Sequence, residues 1–94
     1  MYLYIIYSPT LGRYYKGVSK NPGSRLIEHN TVIDPTAYTA AVHDWKLIFQ
    51  LKCESKTQAL KLERYLKKSA NIPYLKRFMN EIELQNMILL RFKD

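Results

Sequence analysis

The sequence holds a single cysteine, Cys53, so no disulfide can close within the chain, and no cysteine or histidine stands beside it at metal-ligand spacing. A disulfide framework and a zinc-ligand cluster are both excluded, and a reducing, cytoplasmic setting is expected. No apolar run approaches the ~18 residues that a membrane-spanning helix needs. The start of the chain has neither the basic residues nor the small-residue cleavage site of a secretory signal. No membrane partner is therefore expected. Repeats and low-complexity segments are missing as well. With 94 residues there is no room for separate catalytic and targeting domains, and one domain over residues 1–94 with one modest core is expected, since domains usually run to ~100–150 residues.

Acidic side chains are also scarce: eight Asp and Glu stand against fifteen Lys and Arg, a formal charge of +7. Such an excess on so small a chain favours a polyanionic partner, nucleic acid first, although a merely soluble basic protein carries the same signature. The excess is uneven. Residues 46–94 have eleven basic against five acidic side chains, residues 1–45 four against three. Hydrophobic residues at 47% and charged residues at 24% are near the average for globular proteins, which excludes a disordered chain.

What is present in abundance is tyrosine. Residues 2–7, Tyr-Leu-Tyr-Ile-Ile-Tyr, are all aromatic or aliphatic, the pattern of a strand covered on both faces. The turn signal Pro9-Thr10-Leu11-Gly12 and a second β-prone run, residues 13–18, complete a hairpin. Pairing Ser8 with Arg13 sets Tyr4 opposite Gly17 and Ile6 opposite Tyr15, so Tyr4 and Tyr15 become diagonal neighbours on one face. A slip of one residue would separate them. Taken alone, ordinary strand preference is the better explanation of tyrosines here.

Asn21 as N-cap and Pro22 in the first turn predict a helix over 22–30. Residues 31–44 contain Pro35 and no sustained period, hence a loop, with a turn of helix open over 37–42. Residues 45–52 predict a third strand. Ser55 caps a long helix through Ser69, followed by helical stretches over 74–79 and 81–92. The expected fold is α/β, a small mixed three-stranded sheet in ββαβα order, flanked by helices and followed by one or two C-terminal helices. The amphipathic C-terminal stretch with Ile82, Met87, Ile88, Leu89 and Leu90 can cover the core or bury itself in a second copy of the chain.

Arg25 and His29, four apart, share a helix face and can present a cation and an imidazole to one phosphate, or can be a plain solvated face. Glu63 lies about 40° from Ala59 and about 60° from Leu66 around its helix, inside the apolar stripe. A carboxylate there needs a partner, because burying it alone costs several kcal/mol; a metal ion or a salt bridge with Arg25 would each serve.

Taken together these residues resemble the GIY-YIG endonucleases. Tyr2-Leu3-Tyr4 is similar to the first motif, with Tyr4 at its tyrosine, and Tyr15-Lys16-Gly17 to the second, continued by Val18-Ser19. Arg25-x-x-x-His29, the following Asn30, the Trp45 strand and Ala59-x-x-x-Glu63 with Lys67 recur in order. The likeness covers residues 2–80 and is greatest to the short stand-alone bacterial branch, excinuclease-C-like predicted endonucleases. Tyr2 stands where the family name has Gly, and Lys16 where it has the central Ile. The polar residue that the family carries beyond its glutamate has two candidates, Asn71 and Asn80, neither at matching spacing.

The resemblance implies a DNA endonuclease that uses one divalent ion, Mg²⁺ or Mn²⁺, with branched, damaged or single-stranded DNA open as substrates; a chain this short has no obvious recognition domain, so little sequence specificity is expected. It implies Glu63 as metal anchor, Tyr4 as general base or orienter of the attacking water, and Tyr15 as a group orienting water or phosphate. Arg25 would grip the scissile phosphate and His29 assist proton transfer or hold Tyr4. Lys16, Gly17, Arg25, Lys67 and Lys68 would meet nucleic acid, although ordinary solvated charge accounts for the three lysines as well. A catalytically weak binding module and a nuclease subunit that needs a protein partner remain the alternatives, and a homodimer stays open.

Overall fold

A computed structural model describes residues 1–31 and 42–93. The chain forms β1 (Tyr2–Ser8), β2 (Arg13–Ser19), α1 (Pro22–His29), β3 (Lys46–Lys52), α2 (Lys56–Ser69), α3 (Ile72–Asn80) and α4 (Ile82–Arg91). The turn of helix expected over 37–42 falls, apart from Val42, outside the described residues.

The hairpin has the expected register, Ser8 with Arg13, Ile6 with Tyr15 and Tyr4 with Gly17. Its turn closes with a 2.7 Å hydrogen bond from the Gly12 amide to the Ser8 carbonyl. Gly12 has φ +62°, the left-handed region that a residue without Cβ enters at no steric cost. Strand order is β2-β1-β3, and β1 is antiparallel to both neighbours. The sheet is therefore antiparallel rather than mixed. The crossover through α1 does return the chain in the direction of β2, as expected of a helical connection. Yet β3 docks on the far side of β1, so the two co-directed strands never pair.

Side-chain alternation along β1 divides the interior. Leu3 and Ile5 face α2, α3 and α4, where Ala59, Leu62, Leu66, Leu75, Phe78, Leu84 and Ile88 complete the larger core. Tyr4 and Ile6 point to the other face and join Trp45, with Tyr15, Leu26, Val42 and Leu47 around them. Burying each large apolar side chain contributes about 1.5–3 kcal/mol, so the larger cluster supplies most of the stability and the smaller one positions α1.

The capping signals act as the residue types dictate. Asn21 and Ser55 each accept an amide proton three residues on, from Ser24 at 3.2 Å and Gln58 at 3.0 Å. Asn71 does the same for Tyr74 at 2.9 Å, so α3 begins at Ile72, two residues before the expected start. The expected third strand loses only Trp45, which is buried just ahead of it. Two C-terminal helices close the larger core. Gln58 of α2 donates to the Leu89 carbonyl at 2.8 Å, and Gln85 of α4 to that of Phe78 at 2.8 Å. Ile82, Met87 and Leu90 remain exposed on α4 while Leu84 and Ile88 are buried.

Candidate active site

Tyr4 is 1% exposed at the centre of the sheet, and its ring lies across Gly17 on the edge strand β2. A Cβ at Gly17 would overlap the Tyr4 hydroxyl and stand 2.5 Å from its Cζ. Glycine is thus needed at this position for a close approach, and the approach carries the phenol towards the β2 edge.

Helix α1 meets it there. His29 Nε2 lies 2.7 Å from the Tyr4 hydroxyl in a buried hydrogen bond, and the Tyr15 ring packs edge-on to the imidazole with centroids 5.1 Å apart. Arg25, one turn earlier on the same helix face, is near enough for its charge to act on the Tyr4 hydroxyl. Its Nη1 also donates to Glu28 at 2.6 Å. The salt bridge offered for Glu63 through Arg25 is therefore replaced by this i,i+3 pair.

Helix α2 packs against the other face of the sheet, yet one of its flanks reaches round the edge strand. Lys67 Nζ sits 5.6 Å from the centroid of Tyr15, a residue of the α1 face. Glu63 lies 3.7 Å from the same ammonium with its side chain 20% exposed. It is at the margin of the apolar stripe rather than inside the core, and its charge is felt at Tyr4. Lys16 pairs with Ile5 on the α2 face.

The electrostatics follow from burial. Loss of solvent pushes the Tyr4 phenol above its ordinary value, the Arg25 cation opposes this, and Tyr15 and Glu63 reinforce it. Burial, helped by Arg25, holds the His29 imidazole below its ordinary value, with Glu28 opposing. A neutral imidazole and a protonated phenol thus face each other near pH 7. Burial lowers Lys16 too, and the neighbouring Lys67 adds to the effect.

Hydrogen bonds, rings and charges thus link Tyr4, Tyr15, Arg25, His29, Glu63, Gly17 and Lys67, and set Lys16 beside Lys67. Lys68 is elsewhere, on the opposite flank of α2. Asn71 and Asn80 serve their own helix, Asn71 as cap and Asn80 through its amide to the Lys76 carbonyl at 2.8 Å. Among the described residues no three His, Cys, Asp or Glu side chains gather to hold a metal. A single, partly buried carboxylate such as Glu63, even beside Lys67, does fit a Mg²⁺-type ion, which keeps most of its waters and takes substrate phosphate as a further ligand.

Two positioning residues had not been singled out for the contacts they make. Asn30, the α1 C-cap, clasps Trp45 on both sides: Nδ2 donates to the Trp45 carbonyl at 2.9 Å and Oδ1 accepts its amide at 2.8 Å. Asp44 accepts from Ser8 Oγ at 2.6 Å, from the Thr10 amide at 2.9 Å and from Thr10 Oγ1 at 2.7 Å. These bonds hold the Asp44 carboxyl down at about 2. Between them, Asn30 and Asp44 lock α1 and the hairpin turn to the start of β3.

The fold thus brings a phenol, an imidazole, a guanidinium and a carboxylate together beside one sheet edge. Residues 1–74 match the family model described as the GIY-YIG catalytic domain, and the chain belongs to the GIY-YIG family of endonucleases. No curated protein and no solved structure matches it. No helix among the described residues is long and apolar enough to cross a membrane.

Proposed function

We propose that the protein is a metal-dependent DNA endonuclease that hydrolyses phosphodiester bonds at the β2 edge with little sequence specificity. The observation that carries this reading is the buried Tyr4–His29 hydrogen bond of 2.7 Å, with Arg25 beside the same hydroxyl.

Hydrolysis requires activation of a water, neutralisation of charge on the phosphoryl oxygens and help for the leaving oxygen. A phenol of ordinary pKa ~10 is a poor base at neutral pH, and burial makes Tyr4 poorer still. The neutral His29 supplies the remedy: its Nε2 accepts the phenolic proton as the Tyr4 oxygen takes one from the attacking water. Arg25 stabilises the phenolate formed in passing and grips a phosphate oxygen as a fork of donors. Tyr15 and Lys67 orient the phosphate from the edge strand and from α2. Glu63 would hold one Mg²⁺ or Mn²⁺, which supplies charge to the phosphoryl oxygens and the leaving group. DNA that is branched, damaged or single-stranded suits an edge that shows no base-reading element among the described residues, and Lys16 and Lys67 contact its phosphates without reading sequence.

The test is incubation of the purified protein with single-stranded, duplex and branched DNA in Mg²⁺, Mn²⁺ or EDTA, beside Glu63→Ala. Cleavage that requires the metal and is lost in Glu63→Ala is expected. Binding without metal-dependent cleavage of any substrate would sink the proposal, and activity surviving Glu63→Ala would sink the metal assignment alone.

A further inference from the structure

On the flank of α2 turned away from Glu63 lies an open groove of about 300 Å³ lined by Lys61, Arg64, Tyr65, Lys68, Arg91 and Phe92, with Ser69 at its side. Four cations line it, and among the described residues no carboxylate does. Its floor is aromatic: the Tyr65 and Phe92 rings are 5.5 Å apart, and the Tyr65 hydroxyl is tied to that of Tyr74 at 2.9 Å. The Arg91 guanidinium rests on both rings, 5.4 Å from the centroid of Tyr65 and 5.5 Å from that of Phe92. Contact with both rings restrains this guanidinium, so less side-chain freedom is lost when it takes a phosphate through two parallel N–H donors.

At about 100° per residue, Lys67, Arg64, Lys68 and Lys61 follow one another around the outer surface of α2. This cationic arc begins beside Glu63, at Lys67, and ends in the groove. A polyanion laid along the arc meets a cation at each step of its course.

We propose that the groove is a second nucleic-acid site, which holds the sugar-phosphate backbone of a single strand after it crosses α2 from the Glu63 edge. The proposal rests on the nuclease reading for the direction of the strand. The span is the ~10–12 Å width of a helix, so a strand must extend several nucleotides beyond the edge to be held at both places.

Binding of a fluorescein-labelled 16-nucleotide single strand, measured by anisotropy in EDTA across a salt series, tests this without turnover. Arg64→Ala/Arg91→Ala is expected to weaken binding about tenfold and to lower the slope of log K against log salt by about 1.4, two phosphate contacts at ~0.7 each. Arg64→Gln/Lys68→Gln leaves the Arg91 stack in place and guards against a folding defect; the same direction of change is expected. Lys76→Ala/Arg77→Ala removes two exposed cations from α3, outside the groove, and is expected to weaken binding about twofold or less. Equal losses in groove and α3 variants, no loss in either groove variant, or no binding by the parent would overturn the proposal. A parent that cleaves DNA with unaltered binding in the groove variants sinks this inference alone. A parent that binds through the groove and never cleaves sinks the nuclease reading alone.

Discussion

The Tyr4 hydroxyl lies 2.7 Å from His29 Nε2, across 25 residues of sequence and out of contact with bulk water. The bond joins the central strand to the last turn of α1, and the burial of its imidazole, with Arg25 nearby, gives the protein a pH dependence of known sign. His29 is held below its ordinary pKa, so the unfolded chain takes up a proton below pH ~6.5 that the native imidazole refuses. Stability is complete above that pH and falls as the solution is acidified. The cleavage rate should fall on the same side, since an imidazolium cannot accept the phenolic proton. Profiles of kcat/KM against pH for the parent and His29→Gln check this: an acid limb is expected in the parent, on a much slower and flatter variant. An identical limb in both would assign it to another group.

Gly17 makes a separate prediction. Its missing Cβ leaves the space that the Tyr4 ring occupies, and that ring is fully packed and cannot step aside. Gly17→Ala should destabilise the fold by about 1–3 kcal/mol, as overpacked cores do. Cleavage should fall about 100-fold, the loss expected when a catalytic group shifts by about 1 Å. Chemical denaturation and single-turnover cleavage measure the two effects. A variant as stable and active as the parent would contradict the close approach.

Asp44 predicts the acid end of the stability curve. With its carboxyl near 2 instead of 3.8, the native state gives up its proton more readily than the unfolded chain. The latch is therefore fully present above pH ~4 and is lost as pH falls towards 2. Thermal melting of Asp44→Asn against the parent should show a gap at pH 7 that narrows through this window. A gap independent of pH would mean that the carboxylate charge contributes nothing.

The Asn30 clasp has its own consequence. Asn30→Ala leaves the amide and carbonyl of Trp45 without their side-chain partner, at about 1–3 kcal/mol for each group kept from water. Denaturant unfolding followed by Trp45 fluorescence should report a loss of that order, together with a changed native spectrum. An unchanged midpoint would show that water replaces the clasp freely.

The hairpin and its register were legible because a turn signal of fixed length ties residues only a few positions apart, and alternation then places Tyr4 and Tyr15 without further information. Helix starts were legible for the same local reason, through Asn21, Pro22 and Ser55. Long-range geometry was not. The side of β1 on which β3 docks depends on how α1 packs, which no local pattern encodes, and so the sheet was expected to be mixed. Glu63 was expected inside the apolar stripe and lies at its margin. Helical angle sets it beside Lys67 four residues on, but could not show that this flank of α2 meets Tyr15 of β2. Asp44 and Ser8 are 36 residues apart, and nothing in either residue type names the other. The Arg91–Tyr65–Phe92 stack joins α2 to α4 in the same way.

The most direct test of the central claim is single-turnover cleavage of the preferred DNA substrate at saturating protein and Mg²⁺, comparing the parent with Tyr4→Phe. The substitution keeps the buried ring and removes only the hydroxyl that faces His29 and Arg25. The account predicts a rate lowered by ~10²–10⁴, the range of general acid–base catalysis, with substrate affinity changed little. A Tyr4→Phe protein that cleaves at the parental rate would contradict it.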